Sequence, residues 1–175
     1  MLHKILTLID DIGRYSAYLS ALLVVSVALL ILTEVFCRNV LNISLSFSFE
    51  YSAYLMAIAV FGASAFTMRT GGHVRVSLLS TSVPQSLSKY VEIVVSVMGT
   101  VIAFVLAYSL VNFAWSSAIS GRTSGTIDDT PLAIPQSAMA FGACLLALQM
   151  IARTIRILIN EASEDTDARS DFSVE

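Results

Sequence analysis

The side chains of this sequence that could do acid–base chemistry are few, and they border long uncharged segments. Glu34 and Arg38 are four residues apart with the acid first, which is the favourable order for an ion pair on a helix. Glu50 has no basic residue three or four positions away, so Arg38 is its candidate partner across a turn. We favour a structural helix-end pair for Glu34 and Arg38, and the alternative is a contact with a partner protein.

The segment RTGGHVRVSLLS, residues 69–80, combines two glycines with Arg69, His73 and Arg75. It is not a phosphate-binding loop, because the strand, the lysine and the spacing of such a loop are missing. His73 could titrate near neutral pH, but the sequence offers no second group that would make it a proton-transfer site. The simplest interpretation of these basic side chains is that they contact anionic lipid head groups. Gly71 is expected to end the preceding helix.

Metal and nucleophilic chemistry have little support in the sequence. Cys37 and Cys144 show no spacing typical of metal ligands, and their expected depths in the fold differ too much for a disulfide. No nucleophile occurs with a base in a recognisable set, which argues against an enzyme. We therefore expect no catalytic residue, no metal, no cofactor and no substrate-binding residue in this chain.

The elements that must position these side chains are strongly apolar. Hydrophobic residues make up 56% of the 175 positions, and charged residues make up 13%, against about a quarter in soluble domains. Crossing a bilayer as a helix takes roughly 20 apolar residues, and unpaired backbone groups in lipid favour helices over open strands. The uncharged segments are 15–33, 51–68, 93–121 and 130–152.

These segments predict an all-α integral membrane protein with four transmembrane helices. The third helix could run from Pro84 to Ser120, roughly 55 Å, so it is expected to be long and tilted in a hydrocarbon core of about 30 Å. Residues 1–159 are predicted to form the membrane domain, and residues 160–175 an acidic, disordered tail. The predicted spans are about 15–36, 50–68, 91–119 and 131–152.

The distribution of lysine and arginine predicts the orientation of these helices. With both termini in the cytoplasm, eight basic residues lie inside, and two, Arg38 and Arg122, lie outside. The reverse orientation inverts this ratio, so the positive-inside rule favours cytoplasmic termini. Residues 69–80 would then lie at the cytoplasmic surface.

The interior of the four spans predicts packing rather than conduction. Transporters usually carry ionisable side chains or broken helices at mid-membrane, and the uncharged segments have no ionisable Asp, Glu, Lys, Arg or His. Asn112 and Gln149 are the strongest polar groups there, and we expect both to be satisfied packing groups. Small residues recur at four-residue spacing, which allows close helix contact: Ala53 and Ala57, Ala59 and Ala63, Gly99, Ala103 and Ala107, Ala138 and Gly142, Ala143 and Ala147.

Four sequence segments, in order, carry a family resemblance: LIDDIGRYSAYL, TEVFCRNVLN, FEYSAYLMAIAVFGASAFTMRTGGHVRVSLL and VPQSLSKY. Together they resemble the small membrane subunit of tripartite ATP-independent periplasmic (TRAP) transporters. The most specific part joins Glu50 to an R-x-G-x-H-hydrophobic-x-hydrophobic signature. Family members often have tryptophan near this glutamate, where the present chain has Phe47 and Phe49. The signature residues are Arg69, Gly71, His73, Val74, Val76 and Leu79.

The resemblance implies a non-enzymatic scaffold subunit in the bacterial inner membrane. It would form a heterodimer with a large multi-span permease subunit and work with a periplasmic substrate-binding protein, contacting phospholipids but no nucleic acid. Uptake would be driven by sodium, with organic acids such as C4-dicarboxylates, sialic acid or 2-oxo acids as substrates. The implied partner or lipid interface comprises Glu34, Arg38, Glu50, Arg69, Gly71, His73 and Arg75.

Two other classes of function remain as alternatives. An autonomous small transporter acting as a homo-oligomer would need a membrane-embedded acid, and Glu34 and Glu50 lie near the ends of their spans instead. A membrane assembly or sensory protein without transport activity is the second alternative.

Overall fold

A computed structural model describes residues 2–71, 85–126 and 128–159, with only the backbone of residues 2 and 85–88. The described ranges contain no strand, and four of their helices are long and apolar enough to cross a membrane. The predicted all-α class with four spans is confirmed. The helices are α1, Leu2–Phe36; α2, Phe47–Arg69; α3, Gln85–Ser120; and α4, Ala133–Leu158.

Helix α1 extends well beyond the uncharged segment that predicts it. It begins at Leu2 and continues to Phe36 without a break, so the first predicted span is only its later part. Leu6 is buried in this early portion, and its burial stabilises the helix there. A π-helical turn, Cys37–Leu41, follows the end of α1, and the next residue, Asn42, is in the left-handed conformation with φ 54°. Asparagine tolerates this conformation better than most residues, so the chain can reverse toward α2 here.

The helices pack in the spatial order α1, α2, α4, α3. Helix α2 lies between α1 and α4, and α4 lies between α2 and α3, with a smaller contact between α1 and α4. Within the described ranges, α3 makes no extensive contact with α1 or α2. The arrangement is therefore an open row, in which α4 is the most buried helix and α1 and α3 form the edges.

Small residues let neighbouring helices in this row approach closely. A Cβ atom added to Gly142 of α4 would lie 2.6 Å from the carbonyl carbon of Phe61 in α2. On the opposite side of α2, the Ser16 hydroxyl of α1 donates to the carbonyl oxygen of Gly62 at 2.7 Å. Three helices thus meet at one level. The alanines of the α3–α4 core, packed around Met150, are Ala103, Ala107, Ala143 and Ala147.

We expect Gly142→Ala to destabilise the protein, because the added methyl group would meet the rigid backbone of Phe61 and Gly62. Overpacking of this kind costs about 1–3 kcal/mol. The matched control is Gly99→Ala, whose methyl group would meet the flexible end of Met150 and should have a smaller effect. Unfolding midpoints in detergent micelles compare the two variants. Equal midpoints would contradict the close crossing of α2 and α4.

Candidate functional site

One carboxylate joins three helices at the end of the row where α1 begins. Asp10 of α1 accepts hydrogen bonds from Arg156 of α4, with Nη2 to Oδ2 at 2.8 Å, and from Arg69 of α2, with Nε to Oδ2 at 3.1 Å. Its other oxygen, Oδ1, accepts from Gln149 Nε2 at 2.9 Å. We call these four residues the Asp10 cluster. It contains two positive charges and one negative charge.

Burial makes the Asp10 cluster energetically important. The Arg156 side chain is 4% exposed, and its Nη2 also donates to the backbone oxygen of Leu6 at 3.3 Å. A buried guanidinium is costly unless it is paired, because it has lost its hydration. Arg69 and Arg156 also lie in the last turns of their helices, where the helix dipole favours positive charge. The negative charge of Asp10 therefore offsets the repulsion between the two guanidinium groups and the cost of burying Arg156.

Polar contacts also join α3 to α4 at this end. Arg153 lies 3.6 Å from Glu92, measured from Nη2 to Oε1. The next residue, Thr154, has its hydroxyl 2.8 Å from that of Ser96 and 3.1 Å from that of Thr100, which lie one and two turns after Glu92. Every helix of the row is thus tied to a neighbour by polar groups near the Asp10 cluster.

The turn between α1 and α2, at the opposite end, is organised by Glu34. Arg38 donates to Glu34 Oε1 at 2.5 Å, so the predicted pair forms. The same carboxylate accepts the backbone N–H of Leu45 at 2.7 Å and the Ser44 hydroxyl at 3.2 Å. Glu34 is buried, whereas the Arg38 side chain is 65% exposed. The pair therefore shapes the turn and leaves much of its guanidinium available to other molecules.

Hydroxyl groups hold Glu50, the buried acid at the start of α2. Tyr54 donates to Glu50 Oε1 at 2.8 Å, and Thr126 donates to Oε2. The Thr126 hydroxyl also lies 2.7 Å from that of Ser124. Arg38, the partner considered from the sequence, contacts Glu34 instead. This Glu50 cluster connects α2 to the loop between α3 and α4.

Two polar ends separated by an apolar, closely packed middle are thus the main features of the molecule. The sequence model of the DctQ component of tripartite ATP-independent periplasmic transporters matches residues 27–160. The chain belongs to this family. Comparison with curated proteins found no significant match, and comparison with solved structures found none either.

The structure describes only part of the signature segment of this DctQ-family chain. Gly71 has φ 68° and follows Thr70, the C-cap of α2, so the glycine turn expected there is present. Arg69 contacts Asp10 within the chain. His73 and Arg75, together with Gly72, lie outside the described residues.

The two polar groups expected inside the spans have different environments. Gln149 is 2% exposed and its amide nitrogen donates to Asp10, but its buried amide oxygen has no hydrogen-bond partner among the described residues, so it packs inside the protein without being fully satisfied. Asn112 is exposed on α3, and its Nδ2 donates to the carbonyl oxygen of Tyr108 in the same helix at 3.0 Å. The expected packing role therefore holds for Gln149 but not for Asn112 within this chain. Among the described residues, no three His, Cys, Asp or Glu side chains could hold a metal ion together.

Sequence reasoning missed Asp10 and Arg156 as members of one site. In the sequence, Arg156 is only one of the lysine and arginine residues that predict the orientation. Asp10 lies outside the uncharged segments that predict the spans. A signal was nevertheless present, because the first helix begins at the end of an antiparallel array where the second and fourth helices finish. An acid near the start of α1 and bases near the ends of α2 and α4 must therefore lie at similar depth.

We expect Asp10→Asn to destabilise the folded protein by about 2–4 kcal/mol, because it removes the charge of the carboxylate to which both Arg156 and Arg69 donate. The control is Asp11→Asn, which removes the same charge from an exposed neighbouring position. The measurement is the unfolding midpoint of each purified variant in micelles. If both substitutions shift the midpoint equally, Asp10 does not hold the three helices together.

Proposed function

We propose that this chain is the small scaffold subunit of a sodium-driven TRAP transporter for organic acids. It pairs with a large permease subunit and works with a periplasmic substrate-binding protein. Membership of the DctQ family supports a role as a component of such a transporter. The observation that carries the scaffold role is the separation of polar clusters at the two ends from a closely packed apolar middle.

A fixed scaffold needs helices that keep their relative positions while another domain moves. The Asp10 cluster connects α1, α2 and α4, and the Gly142 crossing holds α4 against the α2 backbone. At the other end, Glu50 ties α2 to the loop that joins α3 and α4. Sliding α1, α2 or α4 would break the Asp10 cluster, and sliding α2 would also break its contact with the loop at the other end, so the row favours rigidity over movement.

The middle of the row gives a substrate no polar path among the described residues. Alanines from α3 and α4, together with Met150, fill the interface between these helices. An autonomous transporter would place acids, bases or interrupted helices at this depth. We therefore favour the scaffold over the homo-oligomeric transporter, and assign the substrate and sodium sites to the large subunit.

The proposed location is the bacterial inner membrane with both termini in the cytoplasm. The Asp10 cluster would then lie at the cytoplasmic side, and Glu34, Arg38 and Glu50 at the periplasmic side. The exposed guanidinium of Arg38 is suited to contact a partner at that surface. The proposed partner or lipid interface also includes Arg69 and Gly71 and, beyond the described residues, His73 and Arg75.

We expect that the chain alone, reconstituted in vesicles, moves no organic acid in a sodium gradient, because the part of the chain that the structure describes gives a substrate no polar path. Vesicles that contain the large subunit and receive the binding protein should accumulate substrate only when this chain is present. Radiolabelled uptake measures both conditions, and a collapsed sodium gradient is the control. Sodium-dependent uptake by the lone chain would favour the autonomous transporter instead.

Reporter fusions test the orientation independently of transport. Fusions after Ser80 and after Glu175 should give a cytoplasmic signal, and fusions after Ser44 and Ser124 a periplasmic one, as the positive-inside rule requires. A pair of reporters, one active on each side of the membrane, supplies an internal control at every site. A periplasmic signal after Ser80 would overturn the proposed orientation.

A further inference from the structure

An apolar groove runs between the second half of α3 and the first half of α4. Its volume is about 570 Å³. The alanines Ala114 and Ala140 are buried in it, whereas the rings of Trp115 and Phe141 at its rim are 67% and 59% exposed. Ser137 contributes a hydroxyl group to a lining that is otherwise made of apolar side chains and one thiol. The groove is therefore suited to a hydrocarbon ligand.

The position of the groove exposes it to the membrane. Its lining comes only from α3 and α4, and α3 is an edge helix of the row. Along α4 the lining extends from Ala133 to Cys144, roughly 17 Å at about 1.5 Å per residue. This length is close to one leaflet of a hydrocarbon core about 30 Å thick. Trp115 at the rim is typical of the membrane–water interface.

A positive charge lies at the end of this groove where α3 finishes. Arg122 lies two residues after the end of α3, and its backbone oxygen accepts the N–H of Leu132 at 3.0 Å. This bond holds Arg122 beside Ala133, where the lining of the groove begins. The Arg122 side chain is exposed. The acids of the same loop are Asp128 and Asp129, and Asp129 Oδ1 accepts from the Thr123 hydroxyl at 3.4 Å.

We propose that this groove binds one phospholipid from the leaflet on the Glu50 side of the membrane. One acyl chain lies along the alanines between α3 and α4, and the phosphate pairs with Arg122. An apolar channel one leaflet long with a cation at its interfacial end matches the two parts of a phospholipid. A helix of another protein would match the channel but would need its own acid at the level of Arg122. The proposal requires only that the helices span a membrane, so it is independent of the transport assignment.

The test uses a photoactivatable phosphatidylglycerol with a diazirine on its acyl chain, incorporated into nanodiscs with the full chain. After illumination, mass spectrometry maps the lipid adducts. We expect several-fold more labelling of residues 111–118 and 133–144 than of residues 19–32, an exposed apolar part of α1. A diacylglycerol with the same diazirine chain lacks the phosphate and should label these regions evenly. Even labelling by the phospholipid, or equal enrichment with the diacylglycerol, would overturn the proposal.

Two substitutions separate the head-group contact from the acyl-chain contact. Arg122→Gln should remove the enrichment, whereas Arg14→Gln, at an exposed arginine of α1, should retain it. Ser137→Leu should fill the groove and reduce its labelling. Its control is Thr33→Leu on α1, because both hydroxyls bond to a carbonyl of their own helix. Unfolding midpoints confirm that each variant is folded.

The same labelling is repeated on the complex with the large subunit. Retained enrichment in the groove supports a bound lipid in the assembled protein. Loss of enrichment on complex formation would show that a helix of the partner covers the groove, and the lipid assignment would then be wrong. Uptake activity does not enter either measurement, so failure here leaves the proposed scaffold function unchanged.

Discussion

The shared use of one carboxylate by two guanidinium groups is the constraint on which the rest of the row depends. Arg69 and Arg156 come from different helices and would repel each other without Asp10 between them. Because the acid belongs to α1, neither arginine can keep its position unless all three helices are aligned in depth. The depth of α2 and α4 then determines where Gly142 meets Phe61, and hence how closely the middle of the row packs.

Much of the fold could be predicted from the sequence, because lipid imposes simple rules. Long uncharged segments must be helical, and charges must collect at their ends. The Glu34–Arg38 pair was predictable because it is local to one helix turn. The length of α1 was underestimated, since its first turns carry charges and are stabilised by contacts with other helices rather than by an apolar run.

The spatial order of the helices and the Asp10 cluster could not be predicted in the same way. Small residues at four-residue spacing show that a helix face packs closely, but they do not identify the partner helix. Glu50 shows the same limit, because one of its donors, Thr126, lies in a loop 76 residues further along the chain. Such contacts depend on how far each helix is rotated and shifted, which no single segment encodes.

The open row has a mechanical consequence for a protein held in a fluid bilayer. Tilting about an axis along the row inclines all four helices equally and keeps the two edge helices at the same depth. Tilting about the perpendicular in-plane axis would lift one edge helix and sink the other. Lifting or sinking an edge helix moves the charged ends of α1 or α3 toward the hydrocarbon core, and the free energy of this mismatch rises with each ångström of displacement. The row should therefore tilt easily in the direction perpendicular to its plane and resist tilting within its plane. A protein bound to the row would be restricted to the same direction of tilt.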